Sequence, residues 1–436
     1  MCYMSILIKN ATVITQNSKR EIIDEGDVLI NGNKIEEVGK ATKEKNINKN
    51  ETKKNVEFVI DAKGKIAIPG LINAHTHVAM TIIRGLGEDL PLQPWLEKKI
   101  WPAEAKLKAK DVYHGSLLGI CEMLHSGITA FNDMYFIQAD EVPKAAEQAG
   151  VRAIVNRAML DLPFKTSPEK ELKEGKGFVE RWQDRPLVTP SISCHAPYTC
   201  SEELLVKAKE FANKKNLKFH MHVSETRKEI FDCLNKTKKY PIEYLDSIGL
   251  IDSNSILAHA SWVTKREIAI VGKKKATIVN CPISNLKLAT GGICPIREYH
   301  ATGANVTIGT DSAASNNSLN MFESIKLAAL LQKHHYWKAD ALPTQAIFDF
   351  ATRNGAKALG INTGSIEKGK LADIVLLDAR MPNMNPQHDL ISNIVYSAGP
   401  QNVSDVIING KIIMRDRRIL TVNEEEIVEK IKERKI

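Results

Sequence analysis

The chain lacks the cysteine pattern of a disulfide-stapled domain or a four-cysteine zinc site, because its seven cysteines are scattered and include no Cys-x-x-Cys pair. It has no run of 18 apolar residues, and its start, Met1–Asn10, reaches Lys9 too early for a secretory signal. Aromatic residues make up only 6%, and no basic stripe is interleaved with them. These absences predict a cytoplasmic protein that binds neither membrane nor nucleic acid.

The composition that remains is that of a folded, globular chain. The 436 residues are 43% hydrophobic and 26% charged, and the net charge of +8 comes from lysines mixed with glutamates. This mixture excludes a disordered or fibrous protein and indicates a solvated surface around a sizeable core. The length suits two or three domains, or one α/β barrel with additions.

Between residue 65 and about residue 313, short apolar runs alternate with segments of helical periodicity, which is the pattern of repeated βα units. The eight runs are Ile66–His77, Ile128–Met134, Ala153–Leu160, Val188–His195, Phe219–Glu225, Ile256–Ala260, Thr277–Pro282 and Val306–Asp311. Eight parallel strands with intervening helices close most simply into a (β/α)8 TIM barrel.

The two ends of the chain differ from the middle. Each alternates apolar and polar residues in short strands and contains an Asn-Gly turn, at Asn31-Gly32 and at Asn409-Gly410. Because each end alone is too small to bury a sheet face, we predict that they pair into one composite β-sandwich beside the barrel.

The resulting fold class is α/β, a TIM barrel with a small composite β-sandwich. The predicted divisions are 1–64 for the N-terminal part of the sandwich, 65–363 for the metal-dependent barrel, and 364–436 for the C-terminal part with a terminal helix. The Lys/Asn-rich stretch Ala41–Asn55 is predicted to be a mobile surface loop.

Polar residues gather at the C-terminal ends of the eight runs, where a barrel places its catalytic groups. They are His75, His77, Asp133, Arg157, His195, His222, Glu225, His259, Asn280 and Asp311. Strands that merely reach the surface would explain one or two such residues, but not histidines and acids at most of eight ends.

A metal site is the simplest use of these side chains. His75 and His77 project to the same side of one strand, because side chains alternate along it. A His-x-His pair is weak evidence alone, but His222, His259 and Asp311 follow at the ends of three further runs. Three of these imidazoles together with the carboxylate suit a borderline divalent ion such as zinc or ferrous iron. The alternative of packing or capping residues is disfavoured by their shared strand-end position.

Longer motifs carry a family resemblance. The segment Ile68–His77, with His222, His259 and Asp311 in order after it, resembles the amidohydrolase superfamily over essentially the whole chain. More narrowly, four segments resemble the deaminases of 5′-methylthioadenosine, S-adenosylhomocysteine and 5′-deoxyadenosine. They are Arg84–Leu90, Trp101–Glu104, Ser284–Leu288 and Thr310–Asn317. These segments do not indicate which of the three nucleosides is the substrate.

The resemblance implies one divalent metal ion per subunit, zinc or ferrous iron, held by His75, His77, His222 and Asp311. The fourth run has no lysine of the kind that bridges two metals in other members. A metal ion lowers the pKa of its water toward 7, which supplies a hydroxide that attacks C6 of the adenine ring.

Three acid–base roles follow from this chemistry. Glu225 is expected to protonate ring nitrogen N1, because it would lie close to the metal yet three residues beyond His222. Asp311 would pass the proton of the water to the departing amine, and His259 would orient the nucleophile. The products are ammonia and an inosine-type nucleoside.

The small-molecule substrate contacts rest on resemblance alone. Glu104 would bind the ribose hydroxyls, His195 the purine or ribose edge, and Arg157 the 5′ substituent. Simpler interpretations are a helix N-terminal acid, a hydrogen-bonded strand end and half of a surface ion pair, respectively. The segment 158–176 contains no second arginine for a homocysteine carboxylate, which favours 5′-deoxyadenosine or 5′-methylthioadenosine over S-adenosylhomocysteine.

Two other functions stay open at the level of sequence. A guanine or cytosine deaminase, or a triazine hydrolase, would use the same metal site, although Glu104 and Arg157 favour a nucleoside over a free base. A non-catalytic metal-binding scaffold would need neither Glu225 nor His259. The resemblance also suggests a homo-oligomer, with a tetramer as one option.

Overall fold

The structure is a computed structural model that describes residues 5–40 and 56–434. The stretch Ala41–Asn55, predicted to be a surface loop, lies outside the described residues. No helix within those described ranges has both the length and the apolar character needed to cross a membrane.

Strands and helices alternate through the middle of the chain as predicted. The strands are β1 (Ser5–Ile14), β2 (Ile22–Asn31), β3 (Lys34–Lys40), β4 (Phe58–Asp61), β5 (Lys65–Pro69), β6 (Leu71–Thr76), β7 (Ile128–Asp133), β8 (Arg152–Val155), β9 (Val188–Pro190), β10 (Ile192–Ser193), β11 (Phe219–Val223), β12 (Ser255–His259), β13 (Thr277–Asn280), β14 (Asn305–Ile308), β15 (Ile374–Asp378), β16 (Val403–Ile408), β17 (Lys411–Arg415) and β18 (Arg418–Ile419). The helices are α1 (Leu92–Trp95), α2 (Trp101–Glu104), α3 (Ala109–His125), α4 (Glu141–Ala149), α5 (Pro168–Trp182), α6 (Glu202–Lys214), α7 (Arg227–Thr237), α8 (Pro241–Ser247), α9 (Lys265–Lys274), α10 (Pro282–Lys287), α11 (Ile296–Ala301), α12 (Ala313–Asn316), α13 (Met321–Tyr336), α14 (Thr344–Ala351), α15 (Arg353–Leu359), α16 (Leu390–Tyr396) and α17 (Glu424–Lys432).

The barrel consists of parallel strands in the order β6-β7-β8-β9 and β10-β11-β12-β13-β14. β9 and β10 are two parts of one barrel strand, interrupted only at Ser191. The ring closes between β14 and β6, where the Asp311 N–H donates to the His75 carbonyl at 3.0 Å. A Cβ at Gly309 would lie 2.8 Å from that carbonyl oxygen, so glycine is required for this approach. The eight predicted strands are therefore confirmed as a barrel.

The two chain ends form one nine-stranded sheet. Its strand order is β18-β17-β16-β15-β5-β1-β2-β3, and β4 pairs with β1. Strand β1 alternates buried and less buried residues, as expected for a strand with one face packed on a core. Every residue of β6 is buried, as expected for a parallel strand that is covered on both faces. Residues from both halves of the strand order, such as Ile35 on β3 and Ile407 on β16, share one apolar cluster, so the sheet curves around a core of its own. The predicted fold class is confirmed.

One predicted run is divided by the structure. Ile66–His77 was expected to be a single barrel strand, but β5 pairs with β1 and β15 in the terminal sheet, and only β6 enters the barrel. The division falls at Gly70, where a Cβ would lie 1.9 Å from Thr129 Oγ1. An uninterrupted apolar run does not reveal which of two sheets each half joins, so periodicity could not find this break.

A buried ion pair joins the barrel to the terminal sheet. Arg152, at the start of β8, donates two hydrogen bonds to the Asp373 carboxylate, at 3.0 and 3.1 Å. Asp373 also accepts the N–H of Asn409 at 2.7 Å. This ion pair holds the terminal sheet against the barrel. The predicted domain boundaries after residues 64 and 363 stay a prediction.

Candidate metal centre and active site

Five metal-type side chains converge at the C-terminal mouth of the barrel. The Nε2 atoms of His75 and His77 each lie 3.3 Å from Asp311 Oδ1. His77 Nε2 lies 3.2 Å from His222 Nε2, and the ring of His259 stacks on that of His222 with centroids 5.4 Å apart. The four predicted ligands and His259 are thus brought together from strands β6, β11, β12 and the turn after β14.

The imidazoles are oriented by hydrogen bonds on their far sides. His77 Nδ1 lies 2.5 Å from the Met134 carbonyl, and His222 Nδ1 lies 2.8 Å from the His195 carbonyl. A carbonyl can only accept, so each Nδ1 carries the proton and each Nε2 presents a lone pair to the site. Burial also holds the pKa of His222 well below its ordinary value, which keeps that ring neutral.

The two carboxylate oxygens of Asp311 have different contacts: Oδ2 is held by hydrogen bonds, and Oδ1 faces the donor cluster. Oδ2 accepts hydrogen bonds from the hydroxyls of Ser284, at 2.5 Å, and Ser315, at 2.8 Å. Oδ1 is left facing His75 and His77. Burial opposes ionisation of Asp311, but the imidazoles of His75 and His77, each 3.3 Å from Oδ1, outweigh it and hold the pKa of Asp311 well below the ordinary value. The carboxylate is therefore ionised and aimed by one oxygen.

These residues fit a divalent metal ion. His75 Nε2 is fully buried and has no hydrogen-bond partner among the described residues. Donors around a tetrahedral zinc ion with bonds of about 2.0–2.1 Å are separated by about 3.4 Å, and the observed Nε2–Nε2 and Nε2–Oδ1 separations are 3.2 and 3.3 Å. Three neutral imidazoles and one carboxylate are also the donor types that zinc and ferrous iron accept.

A cavity opens beside the donor cluster, with about 600 Å³ of space between its walls and the open mouth. One wall is apolar and comes from the segment that runs from α1 to the start of α2. Its residues are Leu92, Trp95, Leu96, Ile100 and Trp101. Carboxylates and imidazoles line the other side, and within the described chain no lysine or arginine contributes to the lining. An uncharged ligand with an aromatic or apolar part suits these walls.

Glu225 and His259 face each other across the donor cluster, with His259 Nε2 lying 3.9 Å from Glu225 Oε2. His259 Nδ1 lies 2.9 Å from Asn285 Oδ1, and the Asn285 amide nitrogen donates to Ser261 Oγ, so the His259 proton is on Nδ1 and Nε2 is free. Burial raises the pKa of Glu225, which favours its protonated form. This pair can hold and move a proton beside a ligand.

Glu104 and His195 both line the cavity, as predicted for substrate contacts. Glu104 is 2% exposed, and burial raises its pKa to about 7. Burial lowers the pKa of His195 to about 3, so its ring is neutral at physiological pH. His195 Nδ1 lies 3.1 Å from the Thr199 hydroxyl, which leaves Nε2 for a ligand.

Arg157 does not join the site. Its guanidinium pairs with Glu171 at 2.7 Å and Glu174 at 2.5 Å, both on α5, and it is absent from the cavity lining. The structure therefore holds Arg157 outside the cavity, and its contact with a 5′ substituent stays a prediction. The reason is charge pairing, because two carboxylates already satisfy the guanidinium.

Several supporting residues were missed from the sequence. His220 lies with its Nε2 3.0 Å from His75 Nδ1, and Ser284, Asn285 and Ser315 orient Asp311 and His259. The His220-x-His222 spacing repeats that of His75-x-His77 and could have identified His220. The serines and the asparagine lie in motif segments that carried the resemblance, but nothing in their type indicated which side chain they hold.

The parallel barrel, its two-histidine first strand and the strand-end carboxylate define a metal-dependent hydrolase. Residues 66–413 match the amidohydrolase family, and the chain belongs to that family.

Individual relatives also match this chain over nearly its whole length. The chain is 45% identical to the 5′-deoxyadenosine deaminase of Methanosphaera stadtmanae over 97% of this chain and 96% of that protein. It is 45% identical to the 5′-deoxyadenosine deaminase of Methanocaldococcus jannaschii, over 98% of each chain. Among solved structures, an adenosine deaminase from Xanthomonas campestris with bound zinc matches with a TM-score of 0.92 and 32% identity, over 99% of this chain and 97% of that one. The family resemblance predicted from the motifs is confirmed.

Proposed function

We propose that the protein hydrolytically deaminates the adenine ring of 5′-modified adenosines to an inosine-type product and ammonia. 5′-Deoxyadenosine and 5′-methylthioadenosine are the preferred candidates, followed by S-adenosylhomocysteine and adenosine. The observation that carries the proposal is the meeting of a metal-type donor set with Glu225 and His259 in one cavity, because holding a metal needs neither residue. The names of the two archaeal relatives support the choice of substrate over a guanine, cytosine or triazine ring.

His75, His77, His222 and Asp311 would hold one divalent ion. When bound, such an ion supplies a nucleophile at neutral pH by acidifying water. Zinc is proposed ahead of ferrous iron, and the zinc-containing structural neighbour supports that order.

The chain's own acid–base groups complete the reaction. Glu225, whose buried carboxyl favours the protonated form, donates a proton to ring nitrogen N1. His259 Nδ1 is held by Asn285 Oδ1, which directs Nε2 into the site, where it accepts a hydrogen bond from the attacking water and orients it. Asp311 Oδ1 accepts the first proton of that water and passes it to the exocyclic amine as C–N cleavage occurs, and the second proton, lost as the C6 carbonyl forms, restores the Glu225 carboxyl.

The remaining lining residues would select the nucleoside. Glu104 accepts hydrogen bonds from the ribose hydroxyls, and His195 Nε2 contacts the purine or ribose edge. The lining has no lysine or arginine in the described part of the chain, and Arg157 is already paired, so a 5′ substituent that carries a carboxylate would lack a cationic partner. This favours the small neutral groups of 5′-deoxyadenosine and 5′-methylthioadenosine over a homocysteine tail.

Ammonia release tests the proposal. Purified, zinc-loaded protein is incubated with 5′-deoxyadenosine, 5′-methylthioadenosine, S-adenosylhomocysteine, adenosine and guanine, with Glu225→Gln as the control. Release from the first two nucleosides is expected, and the substitution should reduce it to a small residual rate. Activity on guanine alone, or equal turnover of all the nucleosides, would contradict the substrate assignment.

We also propose the finer organisation of the molecule. A homo-oligomer is expected from the family, with a tetramer as one option, and light scattering on the purified protein would measure it. A cytoplasmic location is proposed because the cysteines of the described residues are all free. The divisions 1–64, 65–363 and 364–436 belong to the same proposal and can be tested by limited proteolysis.

A further inference from the structure

Two outer helices of the barrel begin with the same Thr-x-x-Glu sequence. Thr226 precedes α7 and accepts the N–H of Glu229, and Thr264 precedes α9 and accepts the N–H of Glu267. In the usual form of this capping box, the glutamate side chain reaches back to the N–H of the threonine. Helix α9 follows that form, because Glu267 Oε2 accepts the Thr264 N–H at 2.8 Å.

Helix α7 departs from it. The Glu229 carboxylate passes Thr226 and binds the two preceding residues, with Oε1 accepting the Ser224 N–H at 2.7 Å and Oε2 the Glu225 N–H at 2.9 Å. Ser224 has φ of +52°, in the left-handed region that a residue with a Cβ adopts at a cost. The carboxylate therefore stabilises the unusual turn by which the chain leaves β11 and places Glu225.

The cost of this arrangement argues for a role beyond starting a helix. Glu229 is 5% exposed, and its hydrogen-bond partners in the described chain are those two peptide groups, with no cation to offset burial of the charge. Thr226 already caps α7 through its hydroxyl. A shorter or neutral residue at position 229 would be enough to start the helix. We therefore attribute the length and charge of Glu229 to its contact with the Glu225 backbone.

We propose that Glu229 is a positioning residue for deamination, which acts by holding the Ser224–Glu225 peptide so that the Glu225 carboxyl faces ring nitrogen N1. The inference rests on the proposed function, because it assigns Glu229 an effect only through the proton donor. Residues on neighbouring loops reinforce the same turn, since the N–H groups of Ser261 and Trp262 donate to the Ser224 carbonyl at 3.0 and 2.9 Å.

The substitution Glu229→Gln tests this role. Glutamine keeps the shape but has one carbonyl oxygen, and its amide N–H groups would oppose one of the two peptide donors. We expect kcat to fall by about 10- to 100-fold with KM changed by less than about 3-fold, since proton donation is a transition-state effect. Zinc content should stay at the wild-type value.

The chain offers a matched control in Glu267→Gln. Glu267 is also buried and accepts two peptide N–H groups, from Ile242 at 3.0 Å and from Thr264, but it serves the outer helices alone. We expect this variant to lose thermal stability while its kcat stays within about 2-fold of wild type. A similar fall of kcat in both variants would overturn the inference by showing a general effect of losing a cap.

A double-mutant cycle separates this inference from the function on which it rests. If Glu229 acts through Glu225, then adding Glu229→Gln to Glu225→Gln causes no further loss of the residual kcat. Multiplicative losses, or wild-type kcat in Glu229→Gln, would overturn the positioning role while leaving the proposed function intact. Wild-type kcat in Glu225→Gln would overturn the proposed function itself. If Glu229→Gln does not fold, Glu229→Asp keeps the charge on a shorter side chain and is expected to show a smaller loss of kcat.

Discussion

The two serines that hold Asp311 should control metal affinity. Ser284 and Ser315 both donate to Oδ2, which leaves Oδ1 directed at His75 and His77. A hydrogen bond to a charged group contributes about 1.5–3 kcal/mol, and each 1.4 kcal/mol is a factor of ten in an equilibrium constant. Ser284→Ala or Ser315→Ala is therefore expected to weaken zinc binding by about 10- to 100-fold, the range found for partners of metal ligands.

The assay is competition for zinc between the metal-free protein and a chromophoric chelator. Ser116→Ala is a suitable control, because Ser116 is also buried but donates to a backbone carbonyl of its own helix, that of Val112 at 2.7 Å. The control should retain wild-type affinity, and the double serine variant should bind zinc more weakly than either single variant. Zinc affinities within 2-fold of wild type in both single variants would refute the assignment of Asp311 as an oriented ligand.

Three other perturbations have outcomes set by single contacts. Burial raises the pKa of Glu104 from 4.5 to about 7, so the folded state holds a proton that the unfolded state releases, and stability falls as pH rises through this window. We therefore expect the unfolding free energy of Glu104→Gln, measured with urea on metal-free protein, to rise by up to about 3 kcal/mol relative to that of wild type between about pH 4.5 and 8. A difference in unfolding free energy that does not change with pH would contradict this. Arg152→Ala leaves the Asp373 carboxylate buried and unpaired, so it should lose about 3–5 kcal/mol of unfolding free energy, checked by the same method. Lys287 binds Glu88 at 3.0 Å beside the cavity wall, and Lys287→Met should raise KM by about 2- to 5-fold without changing kcat; an unchanged KM would show that this partly exposed pair does not hold the wall.

The strand-end positions were predictable because two physical rules act together. Parallel strands of a barrel all end at one mouth, and a metal centre requires several imidazoles and a carboxylate at that mouth. Residues as distant in sequence as His75 and Asp311 could thus be assigned to one site before any distance was known. Their observed separation of 3.3 Å follows from closure of the ring between β14 and β6.

Other features depend on information that sequence patterns do not contain. Arg157 ends its strand like the site residues, but its partners Glu171 and Glu174 depend on where α5 packs. The division of Ile66–His77 at Gly70 depends on the contact with Thr129, since both halves are equally apolar.

Which N–H groups the Glu229 carboxylate binds depends on the backbone angle of Ser224, because the same Thr-x-x-Glu sequence gives an ordinary capping box in α9. These features arise from tertiary contacts rather than local periodicity.

The most direct test of metal-dependent adenine deamination is ammonia release from 5′-deoxyadenosine by one preparation measured three times: as purified, after chelation, and after restoration of one equivalent of zinc. We expect that chelation abolishes release, that zinc restores it, and that a His77→Ala variant is not restored by the same zinc. Undiminished ammonia release from the chelated protein, or from His77→Ala, would contradict it.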